Sequence, residues 1–331
     1  MVISTSLTNR INNVINVELD LMKKKLIDLD FEDDYINDLA KEVTSTSSQG
    51  KLLRPMLTLL IGHMAKEIDE KISSNLINVS VAIELLHTAS LIHDDIVDNA
   101  TQRRGKESFN YVYGNDMAVM MGDMIFAKAG MFVFDTSNVE VMNKFASTIV
   151  DLSMGQLLEM KSRNNIKQSQ ENYLYRIRKK TASLFETSTW AGSALANMTK
   201  IENDKLGKFG MNLGLAFQIF DDIKDFTDLN EKTNKSGKNI GLDINNGILT
   251  LPVILSLENN PEANPFYKLI KSNDEINVKD LSTYLMHEGF INQAISIGNT
   301  YIEKAINNLN YFKSAKVTNI LFDLTNSIRL I

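Results

Sequence analysis

The feature that most constrains the fold is a long stretch without proline, because proline breaks helix interiors. The only prolines are Pro55, Pro252, Pro261 and Pro265, so residues 56–251 contain none. Within this stretch, VSVAIELLHTASLIHDDIVDNA (79–100) repeats apolar residues at three- and four-residue spacing over a wide stripe, which indicates a central bundle helix. The same period runs through 115–135, 139–162, 171–197 and 204–227. Without alternating β-branched runs, the sequence predicts one all-α domain over 1–331, with roughly ten or more helices.

Charge and composition exclude several classes of protein. The chain has 331 residues and a formal net charge of −6, without the basic excess of a general nucleic-acid-binding protein. It has no cysteine, which excludes disulfides, thiolate zinc sites and cysteine nucleophiles. We find no signal-peptide pattern at the N-terminus and no apolar run of the ~18 residues that a transmembrane helix needs. We therefore predict a cytoplasmic protein with no transmembrane segment and no nucleic-acid partner.

Two acidic clusters interrupt these apolar helices, in LIHDDIVD (91–98) and FQIFDDIKD (217–225). On a helix, Asp94 and Asp98 share one face, and Asp95 lies about 100° away. The second cluster repeats this spacing with Asp221, Asp222 and Asp225. Like charges one turn apart destabilise a helix unless a cation separates them. Because the ligands are all oxygens, the predicted ion is Mg²⁺, which also bridges to substrate phosphates.

An alternative is that each cluster is a solvated helix face or caps a helix N-terminus. Apolar residues flank both copies, which disfavours this alternative because unpaired carboxylates are almost never buried.

Basic residues accompany the clusters at three places in the sequence. They are Lys51 and Arg54 in SSQGKLLRP, Arg103 and Arg104 after the first cluster, and Lys180 beside Thr181. Such residues ordinarily form weak surface salt bridges. A site that holds one metal-bound diphosphate and a second diphosphate would also need them.

Several segments together resemble the trans-isoprenyl diphosphate synthases, also called polyprenyl synthetases. They are QGKLLRP (49–55), ELLHTASLIHDDIVDNATQRRG (84–105), GD (122–123), KKTASLF (179–185), FQIFDDIKDFT (217–227) and GLDINNGILTLP (241–252). Their order and spacing match the family from about residue 45 to 255. The resemblance implies an isoprenoid synthase-type helical bundle around a deep central cavity. It also implies a homodimer that uses three Mg²⁺ ions per active site.

The resemblance also implies a role for each matching residue. The metal ligands would be Asp94, Asp95, Asp98, Asp221, Asp222 and Asp225. The allylic diphosphate would be bound by Arg103, Lys180 and Lys238, and isopentenyl diphosphate by Lys51, Arg54, His87 and Arg104. Thr181 and Gln218, together with Lys180, would stabilise the developing carbocation.

The sequence departs from the family pattern at a few positions. Gln49 replaces a glycine, and Leu52 replaces an arginine, although Lys51 and Arg54 remain. The loop after the second cluster is longer than in the family, so Lys238 is the better match, with Lys235 as a rival.

Two small residues precede the first cluster and bear on product length. Bulky aromatics at the positions of Ala89 and Ser90 give short products in the family. The small side chains here imply a medium- or long-chain product, with the cavity floor made by deeper residues. The candidates for the floor are Met142, Phe145, Phe126, Phe132 and Phe134.

Four functions remain open at this stage. The first is a complete polyprenyl diphosphate synthase that extends farnesyl or geranylgeranyl diphosphate, or a shorter-chain geranylgeranyl synthase. The second is the catalytic subunit of a heteromeric enzyme that needs a small partner. A class I terpene cyclase is disfavoured because both DDxxD clusters and the basic 49–55 segment are present. A non-catalytic descendant is disfavoured because all six aspartates are intact.

Overall fold

The structure is a computed structural model. It describes residues 4–48, 50–65, 67–227, 244, 246–259, 261, 264–272, 276–312 and 316–329. Lys235 and Lys238, and the loop that contains them, lie outside the described residues, as does Gln49.

Within those residues the chain is almost entirely helical, which confirms the predicted all-α class. The α-helices are α1 (Thr5–Ile27), α2 (Asp34–Ser48), α3 (Leu53–Gly62), α4 (Glu70–Val97), α5 (Phe109–Tyr113), α6 (Asn115–Phe134), α7 (Val139–Ser162), α8 (Gln170–Ile177), α9 (Ser183–Leu195), α10 (Lys200–Thr227), α11 (Leu251–Asn259), α12 (Tyr267–Ser272), α13 (Val278–His287), α14 (Phe290–Leu309) and α15 (Lys316–Asn326). A five-residue π-turn, Arg178–Ala182, joins α8 to α9.

Helix α4 is the centre of the bundle, as its wide apolar stripe predicts. Almost every side chain from Leu76 to Ala89 is buried, so the helix is enclosed on all sides. It packs against α3 and α6, while α10 packs against α9 and α14. The buried side chains form one contiguous cluster that reaches from Leu7 to Ile328. The organisation as a single domain over 1–331 stays a prediction.

Side-chain caps begin the helices that carry the site. Asp69 accepts a hydrogen bond from the Ile72 backbone N–H at the start of α4. Asn138 does the same for Val141 at the start of α7, and Ser169 does so for Asn172 at the start of α8. Each cap satisfies a backbone donor that the first helical turn leaves unpaired.

A small hairpin follows α4, which the sequence pattern did not predict. Strands β1 (Gln102–Arg103) and β2 (Lys106–Glu107) are antiparallel, with Arg103 opposite Lys106. Two-residue strands are too short to produce a visible alternation. The turn residues Arg104 and Gly105 have φ of 52° and 76°, the backbone that a tight two-residue hairpin requires. The left-handed conformation is unfavourable for an arginine, so this backbone is held by its surroundings.

Two glycines allow the π-turn to pack closely against its neighbours. A Cβ on Gly155 of α7 would lie 2.3 Å from the Lys180 backbone nitrogen, and one on Gly214 of α10 would lie 2.7 Å from Ala182 Cα. The π-turn therefore lies between α7 and α10 at backbone contact. This places Lys180 and Thr181 between the two acidic clusters.

Two described helices, α4 and α6, are long and apolar enough to cross a membrane by length and composition. The apolar window of α4 is 78% buried and that of α6 is 33% buried. A core helix passes the same test, so the result for α4 reflects its place in the bundle. The exposed side of α6 is considered below.

We predict that Gly155→Ala destabilises the protein by about 1–3 kcal/mol, because the new methyl group meets backbone that must shift. The matched control is Gly130→Ala on α6, where a Cβ would meet nothing within 4 Å. This control should gain roughly 0.5–1 kcal/mol from helix propensity. Denaturant unfolding measures both, and equal effects of the two substitutions would contradict the close packing at the π-turn.

Candidate active site

The first acidic cluster lies at the C-terminal end of α4. Asp94 and Asp95 belong to its last turn, and Asp98 is the C-cap residue. The C-terminus of a helix carries partial negative charge, so acidic side chains are unfavourable there. Three carboxylates at this position therefore repel one another and the helix dipole unless cations lie close to them.

Each aspartate of this cluster has a basic partner. The Arg103 Nε atom lies 2.8 and 2.7 Å from the two carboxylate oxygens of Asp95, and Arg163 Nη2 lies 2.8 Å from Asp98 Oδ1. Lys180 Nζ lies 3.9 Å from Asp94 Oδ2 and donates to Glu159 Oε1 at 2.5 Å. In this arrangement Arg103 neutralises Asp95, a predicted metal ligand. The contact with Asp95 holds the Arg103 side chain in place without a diphosphate.

These partners do not fully compensate for burial. Burial is the main cause that raises the pKa of Asp94 to about 6; Lys180 opposes it, and Glu159 and Asp98 add to it. Burial also raises the pKa of Asp98. For Lys180, burial lowers the pKa, but Asp94 and Glu159 outweigh it and the pKa is raised. Lys180 is therefore a cation, while Asp94 retains unsatisfied negative charge at neutral pH.

The second cluster occupies the last two turns of α10 as described. Asp221 and Asp225 are half-buried, whereas Asp222 is only 6% exposed. Asp222 accepts hydrogen bonds from Tyr173 Oη at 2.7 Å and from Gln218 Nε2 at 2.6 Å. The Thr181 hydroxyl donates to Gln218 Oε1 at 2.7 Å. Since Thr181 is adjacent to Lys180, the two clusters face a common space across the π-turn.

A buried arginine connects the 49–55 segment to this space. The Arg54 guanidinium lies 4.5 Å from the ring centroid of Phe185. Burial, partly opposed by the charges of Glu84 and Asp221, lowers the pKa of Arg54 to about 10. Lys51 is exposed, and its pKa is lowered by partial burial and then by Lys224. Both basic residues therefore lie within electrostatic range of Asp221.

The remaining residues predicted to bind the second diphosphate lie nearby. Burial, followed by the charges of the neighbouring arginines, holds the pKa of His87 well below its usual range, so its imidazole is neutral. Arg104 is exposed and donates to the Thr46 backbone oxygen at 2.9 Å. Burial raises the pKa of Glu84 to about 7, while Arg54 and Arg104 lower it. Ala89 is fully buried and Ser90 half-buried, one to two turns before Asp94 on α4.

The structure adds four residues that the sequence interpretation missed: Glu84, Glu159, Arg163 and Tyr173. Glu84 and Glu159 are acidic residues next to apolar residues in α4 and α7, and both are buried. An acidic residue among apolar ones is the same signal that identified the aspartates, so these two residues could have been found from the sequence. Arg163 lies in a polar connector and Tyr173 resembles an ordinary core residue, so neither carries a signal in the sequence.

The donor set fits a divalent cation that prefers oxygen ligands. In the described part of the chain, no three histidine or acidic side chains are arranged to hold an ion as they stand. The carboxylates of the first cluster are instead paired with or close to Arg103, Arg163 and Lys180. The unsatisfied charge of Asp94, the C-terminal helix position and the absence of nitrogen or sulfur ligands at the clusters all favour a hard ion such as Mg²⁺.

We predict that Asp94→Asn makes the metal-free protein more stable at pH 7.5. The raised pKa means that the folded state disfavours the ionised carboxylate, so Asp94 lowers stability as the pH rises from about 4 to about 6. The gain in unfolding free energy is up to about 3 kcal/mol. Unfolding with a chelator present should show it at pH 7.5 and not at pH 4.

Asp204→Asn, at an exposed position on α10, is the control and should change stability by less than about 0.5 kcal/mol. An Asp94→Asn variant no more stable than wild type at pH 7.5 would show that the carboxylate is already compensated without metal.

Comparisons with known proteins identify the family of this chain. The family model described as polyprenyl synthetase matches residues 34–288. Solanesyl diphosphate synthase 1, chloroplastic, from Arabidopsis thaliana is 32% identical over 284 residues, which are 83% of this chain and 68% of that protein.

Two solved structures share the fold over nearly the whole chain. A polyprenyl synthase from Caulobacter crescentus, complexed with calcium and isoprenyl diphosphate, has a TM-score of 0.86 at 25% identity and covers 97% of this chain and 96% of that one. The heptaprenyl diphosphate synthase of Staphylococcus aureus has a TM-score of 0.85 at 28% identity, covering 96% and 97%. The chain therefore belongs to the polyprenyl synthetase family of prenyl-transferring enzymes.

Proposed function

We propose that the protein condenses isopentenyl diphosphate with an allylic diphosphate, farnesyl or geranylgeranyl, to make a medium- or long-chain all-trans polyprenyl diphosphate. The observation that carries this proposal is the meeting of two all-oxygen acidic clusters across Lys180, Thr181 and Gln218. Cationic side chains surround the same space, so it suits two diphosphates better than one.

Three Mg²⁺ ions, held by the two clusters, would stabilise the diphosphate that leaves when the allylic C–O bond breaks. Arg103 and Lys180 would bind that diphosphate once the metal ions compete for Asp95 and Asp94, and Lys238 would complete this set. Because these charges are positioned before the reaction, they stabilise the transition state with little rearrangement.

The second diphosphate would be bound by Lys51, Arg54, His87 and Arg104. The neutral His87 contributes a hydrogen-bond donor and no charge. Isopentenyl diphosphate then attacks the allylic cation through its double bond, and the oxygens of Thr181 and Gln218 stabilise the positive charge. The proton released in the last step would pass to the departing diphosphate, so no protein nucleophile is required.

Product length is the finer part of the proposal. Ala89 and Ser90 leave room beside α4 for a growing tail, and the solanesyl and heptaprenyl enzymes named above are long-chain relatives. Among the candidate floor residues, Phe145 is buried, Phe126, Phe132 and Met142 are half-buried, and Phe134 is 63% exposed. Phe132 also lines an open groove of about 800 Å³ beside the N-terminal part of α4. This groove lies at the opposite end of α4 from Asp94, so it does not select one floor residue among the candidates.

The purified chain should be incubated alone with Mg²⁺, labelled isopentenyl diphosphate and farnesyl diphosphate, and the dephosphorylated products separated by length. We expect a defined product longer than geranylgeranyl. A geranylgeranyl product would support the short-chain alternative. No product from a chain that binds farnesyl diphosphate would support the heteromeric alternative.

In the same assay, Ala89→Phe should shorten the product, because the ring fills the space beside α4. Leu91→Phe is the control, since it lies about 200° away round the same helix. An unchanged product distribution in Ala89→Phe would place the tail elsewhere.

A second copy of the chain is the proposed partner, and an exposed apolar surface on α6 and α7 supports it. Nine of the eighteen large hydrophobic side chains exposed in the described residues lie on these two helices. They are Val119, Met120, Met131, Phe134, Val139, Val150, Met154, Leu157 and Met160. Apolar patches of this kind mark interaction sites, and a self-complementary patch gives a two-fold dimer. The cytoplasmic location stays a prediction, since one relative named above is chloroplastic.

Combining Val150→Asp with Leu157→Asp should convert a dimer to monomers, because each buried unpaired carboxylate is costly. Ile201→Asp introduces the same charge at a residue on α10 that is 61% exposed and outside this surface, so it should leave the dimer intact. Light scattering after size-exclusion chromatography measures the mass. A double variant that stays dimeric would place the interface on another surface.

A further inference from the structure

A network of hydrogen bonds connects the buried Tyr173 to Thr181 and Gln218, the pair predicted to stabilise the carbocation. Thr181 donates to Gln218 Oε1, Gln218 Nε2 donates to Asp222 Oδ1, and Tyr173 Oη donates to Asp222 Oδ2. An ionised carboxylate can only accept hydrogen bonds. Asp222 therefore orients the Gln218 amide, with its NH₂ toward the carboxylate and its oxygen toward Thr181.

Tyr173 is the most deeply buried member of this hydrogen-bonded network. Its side chain is 0% exposed. The guanidinium of Arg176 lies 5.5 Å from its ring centroid and is itself fixed by hydrogen bonds to Ser162 Oγ and the Leu249 backbone oxygen, each at 2.9 Å. The phenol ring thus lies against a side chain that is hydrogen-bonded to the end of α7 and to the segment before α11. It provides a fixed reference point for a carboxylate on α10.

These hydrogen bonds fix the orientation of the Thr181 hydroxyl group. Its hydroxyl proton is used by Gln218, so its oxygen lone pairs are directed away from that bond. An oxygen that presents lone pairs stabilises positive charge, whereas a hydroxyl that presents its proton does not. If Gln218 were free to rotate its amide by 180°, its NH₂ would face Thr181 and this orientation would be lost.

We propose that Tyr173 is a positioning residue of the prenyl transfer, acting through Asp222 and Gln218 on Thr181. In this assignment Asp222 is an orienting acceptor and not a Mg²⁺ ligand, and Asp221 and Asp225 are the metal-facing residues of the second cluster. The inference deepens the function proposed above and rests on it.

The first test is Tyr173→Phe, which removes one oxygen and keeps the buried ring. We expect kcat to fall roughly 10- to 100-fold, the effect of one lost hydrogen bond to a charged group, with unchanged KM for isopentenyl diphosphate. Tyr175→Phe is the matched control on the same helix, because Tyr175 is 47% exposed and its hydroxyl contacts only the Met154 sulfur, at 3.7 Å, among described atoms. It should keep wild-type kcat.

A double-mutant cycle separates positioning from a general loss of stability. If Tyr173 acts only through Gln218 and the Thr181 hydroxyl that binds it, the rate of Tyr173→Phe combined with Gln218→Leu in single-turnover assays should equal that of Gln218→Leu alone. Independent, multiplicative losses would overturn the proposal. Thermal unfolding of each variant shows that the folded protein is being compared.

The Mg²⁺ concentration for half-maximal rate provides a second readout. Asp222→Asn removes one of the two acceptor oxygens that bind Tyr173 and Gln218 and should lower kcat without raising this concentration, whereas Asp221→Asn should raise it. Equal increases in both would make Asp222 a ligand and overturn the assignment. A wild-type chain that makes no prenyl product would count against the proposed function, whereas an active wild type with an unaffected Tyr173→Phe would overturn only the role of Tyr173.

Discussion

Negative charge at the C-terminal end of a buried helix is the interaction on which the arrangement of this protein depends. All three aspartates lie at the negative end of the helix dipole, and burial and mutual repulsion raise the pKa of Asp94 and of Asp98. A cluster of this kind persists only if cations are provided. Three segments each contribute one cationic side chain: the hairpin after α4 contributes Arg103, the π-turn contributes Lys180, and the end of α7 contributes Arg163.

The same three cations explain how the protein can fold before it binds metal and substrate. Each binds or lies close to one carboxylate of the first cluster, so the metal-free protein avoids part of the repulsion. The compensation is incomplete, because the pKa of Asp94 stays raised. The remaining charge favours binding of a divalent ion, so some stability of the free protein is given up for affinity.

Much of this architecture follows from local patterns in the sequence. The three- and four-residue period predicted α6, α7 and α10 almost to their ends, because helix formation and burial depend on that period. It missed the first turns of α4, which begins at Glu70 and not at residue 79, and it predicted one helix over 171–197, where the structure has α8, the π-turn and α9. The aspartate spacing predicted which carboxylates share a face. The hairpin was not predicted, since two-residue strands leave no pattern, and neither was the π-turn, which depends on contacts with Gly155 and Gly214. Tyr173 was missed because its partner is 49 residues away in the sequence.

The two clusters resemble each other in a way that their flanking sequences do not suggest. In each, the middle aspartate is the buried one, with Asp95 4% and Asp222 6% exposed. In each, that residue is held by protein donors, which are Arg103 for the first and Tyr173 with Gln218 for the second.

The outer pairs, one helical turn apart, remain on the other face. A rotation of about 100° between adjacent helical residues is sufficient to separate these roles. A DDxxD motif on a helix therefore leaves two carboxylates on one face and buries the third against the protein. In the proposed function, the donor to the buried carboxylate determines its role: Arg103 would link the first cluster to the allylic diphosphate, and Tyr173 would link the second cluster to Gln218 and Thr181.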